Sequence, residues 1–112
     1  MNEQLYAVGN NIPVLVDVDE TLTLDPAAVR NAITSKTKCI MPVHMCGSMA
    51  DMDALVAMCK EHNLILLEDA CQSIGGTYKG KALGTIGHAG TFSFDFVKMI
   101  TCAVVRYFFT IN

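Results

Sequence analysis

The chain has 112 residues, of which 52% are hydrophobic and 17% charged, so it has room for at most one ordinary domain and is too apolar to be disordered. Its net charge of −3 argues against a nucleic-acid-binding surface. No apolar run is long enough for a membrane helix, and the polar start MNEQLYAVGNN lacks the cationic region of a signal peptide.

Pro13-Val14-Leu15-Val16-Asp17-Val18 reads as a buried strand. Asp25-Pro26 supplies an N-cap and a proline at the first helical position, and Val29, Ala32 and Ile33 mark that helix's apolar face. Lys38 to His44 (KCIMPVH) is a second strand, with Pro42 placing part of it at an edge or bulge. Ser48-Met49-Ala50-Asp51 matches a helix-start signal. Met52, Leu55, Val56 and Cys59 then recur at helical spacing, as a core stripe does. His62-Asn63 closes this helix, and Leu64-Ile65-Leu66-Leu67 opens the third strand. Residues 75–90 hold six of the eight glycines and form an extended excursion. A last strand restarts at Thr91-Phe92-Ser93-Phe94-Asp95-Phe96, with the aromatic residues on one face and Ser93 and Asp95 on the other.

Strands alternating with helices predict an α/β, three-layer, mostly parallel sheet whose ligands gather at the carboxyl ends of the strands. Asp17, His44 and Asp69 lie at or near such ends. The five cysteines, Cys39, Cys46, Cys59, Cys71 and Cys102, are odd in number and lack a disulfide-scaffold spacing, so reduced thiols in a cytoplasm are expected. His44, Cys46 and Cys39 lack the second ligand pair that a zinc site needs, so no metal is expected.

Three motifs compete for the chemistry. Gly75-Gly76-Thr77-Tyr78-Lys79-Gly80-Lys81-Ala82 has the spacing of a phosphate-binding loop, but Ala82 stands where a magnesium-binding hydroxyl belongs, and a solvent-exposed turn around Lys79-Gly80-Lys81 is expected instead. Leu15-Val16-Asp17-Val18-Asp19-Glu20-Thr21-Leu22 resembles the first motif of haloacid-dehalogenase-type phosphatases, with Asp17 as nucleophile and Asp19 as acid and base. The second strand lacks the hydroxyl residue that family carries at its tip, and a polar turn before the Asp25 cap accounts for both acids. The third motif runs from Leu64 to Lys98. An acid at Asp69, a hydroxyl at Ser93 and an amine at Lys98, gathered at strand ends, suit pyridoxal phosphate.

From Pro13 to Lys98 the chain resembles the sugar aminotransferases of the DegT/DnrJ/EryC1/StrS family. The segments that carry the likeness are PVLVDVDETLTLDP, AITSKTKCIMPVHMCG, ADMDALVAMCKEHNLILLEDACQSIGGTYKGKALGTIGHAGTFSF and Lys98. The resemblance implies a fragment of the large domain of a fold-type I, aspartate-aminotransferase-like enzyme. It implies that Asp69 faces the pyridine nitrogen of pyridoxal 5'-phosphate and that Gln72 bonds its phenolic oxygen. Cys71 falls where a small residue lies against the ring, Ser93 binds the phosphate, and Lys98 makes the covalent link and moves the proton. Lysine at this position, where some relatives carry histidine and act as 3-dehydratases, implies transamination. The implied substrates are a nucleotide-linked keto-sugar and a glutamate or glutamine amino donor. A homodimer and a role in polysaccharide biosynthesis are implied as well.

Relatives of that family are much longer, and residues 1–112 are expected to form a partial cofactor-binding large domain. The Gly-rich segment that follows the lysine in the family is missing, and Ala103-Val104-Val105 resembles the strand that segment leads into. The isolated chain is therefore expected to be inactive in transamination. A non-catalytic truncated or interaction fragment is the alternative from another class, and the phosphatase is a third.

Overall fold

The computed structural model describes residues 11–95, Lys98, Ile100 and, for the backbone alone, 106–110. Helix α1 spans Pro26–Ala32, strand β1 Cys39–Ile40, helix α2 Met52–His62 and strand β2 Ile65–Asp69. Short strands β3 (Thr77–Tyr78) and β4 (Lys81–Ala82) follow, then β5 (Ala89–Ser93) and β6 (Arg106–Thr110). The main sheet has the order β1-β2-β5-β6. β1, β2 and β5 are parallel, and β6 returns antiparallel along β5.

Local chemistry sets the helix ends. Asp25 accepts the Ala27 N–H at 2.8 Å, and Pro26 follows at the first turn, where a missing N–H costs nothing. Asp51 caps α2 by accepting from Ala54 N at 3.2 Å, so the cap lies three residues beyond Ser48. Asn63 ends α2 in the left-handed conformation (φ 53°), which asparagine tolerates. The helix buries Met52, Leu55, Met58 and Cys59 against Ile40 and Leu66 of the sheet, with Val29 of α1 in the same core. Each such side chain contributes about 1.5–3 kcal/mol through loss of contact with water.

Two strands differ from expectation. Lys38–His44 is regular only at Cys39–Ile40. Pairing resumes as a single parallel bridge between Val43 and Asp69, after buried Pro42, which has no N–H for a ladder but accepts from Asp69 N at 2.9 Å. The segment 13–18 is not a buried strand. Among the described residues it makes one bridge, Val18 with Leu24, and Val14, Leu15 and Val18 are exposed, because no described strand lies beside it.

Helices cover one face of the sheet. The other carries Cys39, Ile65 and Leu67, exposed or half-buried, and no described helix lies over it, so the described residues supply two of the expected three layers. The strand expected at 91–96 is β5, which begins at Ala89 and ends at Ser93, earlier than the hydrophobic alternation suggests, and Phe96 lies outside the described residues. Within the excursion, Lys79 and Gly80 both take positive φ (49° and 81°), the conformation of a tight two-residue hairpin between β3 and β4. That hairpin is the exposed turn expected in place of a phosphate-binding loop. Lys79 pairs with Asp53, and Tyr78 Oη donates to Asp51 at 3.2 Å, which ties the hairpin to the start of α2.

Candidate functional site

The carboxyl ends of β2 and β5 lie side by side, with Asp69 paired to Thr91 in register. Side chains alternate along a strand, so Leu67 and Asp69 occupy the face opposite Leu66 and Glu68. On β5, Thr91 and Ser93 share the face of Asp69. Asp69 is half-buried, and its Oδ1 accepts the Cys71 N–H at 3.0 Å. The Cys71 thiol lies 3.5 Å from Thr91 Oγ1. Burial raises the pKa of this thiol above its ordinary value, reinforced by its bond to the Asp69 carboxylate, while Thr91 and the charge of Lys98 act in the opposite sense.

Lys98 is half-buried, and its backbone N–H closes a turn onto Asp95 O at 3.0 Å. Its positive charge acts on the Cys71 thiol. Asp69, Cys71 and Thr91 come together from positions up to 22 residues apart. Ser93 is buried, two residues beyond Thr91 at the strand end. Gln72 turns toward the 45–47 loop, where its Oε1 accepts from the Cys46 thiol at 3.4 Å.

Two buried residues lie beneath this cluster, Glu68 and His44. Glu68 is fully buried, and its carboxylate accepts N–H groups from Gly84 (2.8 Å), Ile86 (2.6 Å) and Gly87 (2.5 Å). It also meets His44 Nε2 at 3.2 Å. Burial pushes a carboxyl pKa up, but His44 and these three amides outweigh it and hold Glu68 below the ordinary glutamate value. His44 is equally buried, and its Nδ1 accepts Ala50 N–H at 3.3 Å, so both ring nitrogens are engaged within the protein. His44 is a satisfied structural histidine. The only sequence signal for Glu68 is its place in an acidic pair after an apolar run, since its partners lie 16 to 24 positions away.

The competing acids have other uses. Asp19 accepts from Thr21 N at 2.8 Å and Thr21 Oγ1 at 2.5 Å, a local polar turn, and these bonds depress its pKa. Asp17 is exposed, and its backbone oxygen receives Asp25 N. No cluster of three metal-ligating side chains occurs among the described residues. Two cavities lie elsewhere. One of about 470 Å³ is lined by Lys38, His62, Asn63 and Leu64 at the amino end of the sheet, and one of about 210 Å³ lies between α2 and His88. Neither touches Asp69 or Lys98.

Comparison with known proteins places these features. Aligned on NtdA from Bacillus subtilis, solved with bound cofactor PMP, the structure gives a TM-score of 0.85 at 33% identity, covering 98% of this chain and 25% of that one. The pleiotropic regulatory protein of Geobacillus stearothermophilus is 53% identical over 83 residues, 73% of this chain and 22% of its own length. The L-glutamine:2-deoxy-scyllo-inosose aminotransferase of Streptomyces lividus is 48% identical over 93 residues, 82% of this chain and 22% of its own. The architecture is thus the α/β fold of the type I pyridoxal-phosphate aminotransferases, of which this chain has part of the parallel sheet. Residues 4–104 match the model of the DegT/DnrJ/EryC1/StrS aminotransferase family, and the chain belongs to that family. It spans about a quarter or less of the length of the relatives it matches.

Proposed function

We propose that residues 1–112 are part of the cofactor-binding domain of a pyridoxal-phosphate-dependent sugar aminotransferase. The observation that carries this reading is the meeting of Asp69, Cys71 and Thr91 at the carboxyl ends of two adjacent parallel strands, in a chain of this family whose Lys98 acts electrostatically on Cys71. The donor set fits the group: a carboxylate for a protonated pyridine nitrogen, a hydroxyl for a phosphate oxygen, a side-chain amide for a phenolate and an amine for an aldehyde. Pyridoxal phosphate, when bound, supplies a ring that accepts electrons from the substrate.

The chain's own residues do the rest. Asp69, fixed by Cys71 N–H, keeps a proton on the ring nitrogen through its negative charge. Cys71 fills space beside the ring as a small apolar group, since its raised pKa keeps the thiol protonated. Ser93 would donate to the phosphate and Gln72 would orient the ring. The amine of Lys98 would hold the group and, when free, would move the substrate's alpha proton as acid and base. Lysine there favours transamination over dehydration. A keto-sugar as acceptor and glutamine or glutamate as donor agree with the scyllo-inosose aminotransferase among the relatives, and a nucleotide-linked sugar is the finer reading that the family resemblance supports.

Alone, the chain catalyses no transamination, and a dimeric assembly in a cytoplasm belongs to full-length members of the family. The exposed Ile12, Val14 and Leu15 favour a second reading, a non-catalytic interaction fragment. Borohydride trapping separates the two. Pyridoxal phosphate, added to the purified chain and reduced, is expected on Lys98 by peptide mass mapping. The label should vanish in Lys98→Ala, and affinity should fall roughly tenfold to a hundredfold in Asp69→Asn through loss of a charged hydrogen bond. Label spread over Lys79 and Lys81 would overturn the site. Turnover of a keto-sugar with glutamine by the lone chain would overturn its inactivity.

A further inference from the structure

We propose that His44 is the positioning residue of the site, locking together the strand tip at Asp69 and the turn that carries Cys71 and Gln72. As a statement about the cofactor this rests on the function proposed above, but its geometry stands apart from it. His44 makes four bonds, two through its backbone and two through its ring. Its N–H donates to Asp69 O at 3.0 Å, its Nε2 meets Glu68 at 3.2 Å, its Nδ1 accepts Ala50 N–H at 3.3 Å, and its carbonyl accepts Ser73 Oγ at 2.8 Å. Ser73 passes the connection on by accepting Gly47 N–H at 3.2 Å, and Ser73 N closes the turn onto Ala70 O at 3.1 Å. Cys71 and Gln72 lie inside that turn.

The roles of the two ring nitrogens follow from the partners. The amide of Ala50 can only donate, so Nδ1 is the acceptor and the neutral ring carries its hydrogen on Nε2, aimed at the Glu68 carboxylate. Glu68 and Asp69 are adjacent and point to opposite faces. Holding Glu68 from below therefore fixes the rotation of the strand about its axis and, with it, the direction in which Asp69 leaves the sheet. His44 grips the same strand twice, by side chain at 68 and by backbone at 69. All of it is buried away from the open face, so it touches no ligand and acts through Asp69.

The test uses the 112-residue chain with His44→Leu and His44→Gln. Glutamine places an N–H near the position of Nε2 and keeps the Glu68 bond. Amide hydrogen exchange is read at Asp69, Ala70 and Ser73, with Leu55 and Cys59 of α2 as internal reference. The expected result for His44→Leu is a loss of protection of about tenfold at 69–73 beyond any change in α2, with rescue to within a few-fold in His44→Gln. Equal loss in α2, or no loss at 69–73, would overturn the proposal. If His44→Leu does not fold, His44→Gln decides: protection at 69–73 falling in step with α2 overturns it, and protection retained at 69–73 sustains it. Pyridoxal phosphate affinity is the second readout. Wild-type binding at Lys98 with undiminished affinity in His44→Leu overturns the positioning role, whereas a wild type that does not bind overturns the proposed function and leaves exchange to decide on His44.

Discussion

Glu68 and Asp69 are neighbours of one chemical kind with opposite fates. Asp69 stands out in the sequence through the family resemblance, since an acid after an apolar strand is by itself as readily a helix cap or a solvated strand end. Glu68 does not stand out, because what surrounds it is assembled from residues 44, 84, 86 and 87, and no local pattern announces a nest of amides so far along the chain. Its lowered pKa makes it a source of acid sensitivity. A carboxyl whose folded value is depressed stabilises the fold in full above its unfolded value, near the ordinary 4.5, and that stability is lost as pH falls through the folded value. Urea midpoints measured from pH 6 to pH 3 should therefore fall more steeply in wild type than in Glu68→Gln. At pH 6 the variant should be less stable by about 1–3 kcal/mol, since an amide cannot accept at both of its ends.

Helix ends and turns were readable because each depends on a few adjacent residues: Asp25-Pro26, Asn63 and Lys79-Gly80 act where they stand. Strands were less so, since a strand is defined by what pairs with it. Residues 13–18 have the composition of a buried strand and lack a described neighbour, while Pro42 leaves β1 with two regular residues before a single bridge. The excursion before β5 is placed by a close approach that only glycine permits. A Cβ on Gly90 would collide with the Gly84 carbonyl, and Gly84 itself takes φ 83° over the ring of Phe92. Gly90→Ala should lower stability by about 1–3 kcal/mol as an overpacking change, measured as a lower thermal midpoint. It should also open the amides of Gly84, Ile86 and Gly87 to exchange.

A parallel sheet needs cover on both faces, and this chain's described helices cover one. Ile65 is 54% exposed on the open face, and Ile12 and Leu15, in the unpaired segment, are 89% and 83% exposed. Apolar surface of this kind drives association. Light scattering should show the wild-type chain self-associating as its concentration rises, and the double variant Ile12→Glu with Leu15→Lys should do so only at higher concentration. Both side chains are exposed and neither belongs to the core cluster, so the variant should keep its circular dichroism spectrum.

The separation of Asp69 from Lys98 also has a meaning in time. Ribosomes add about 5–20 residues per second, so the lysine is made roughly 1.5–6 s after the acid. The β1–α2–β2 unit, whose contacts are close in sequence, can settle during that interval. The strand that ends in the acid would then be settled ahead of the segment that carries residue 98 once both have left the ribosome.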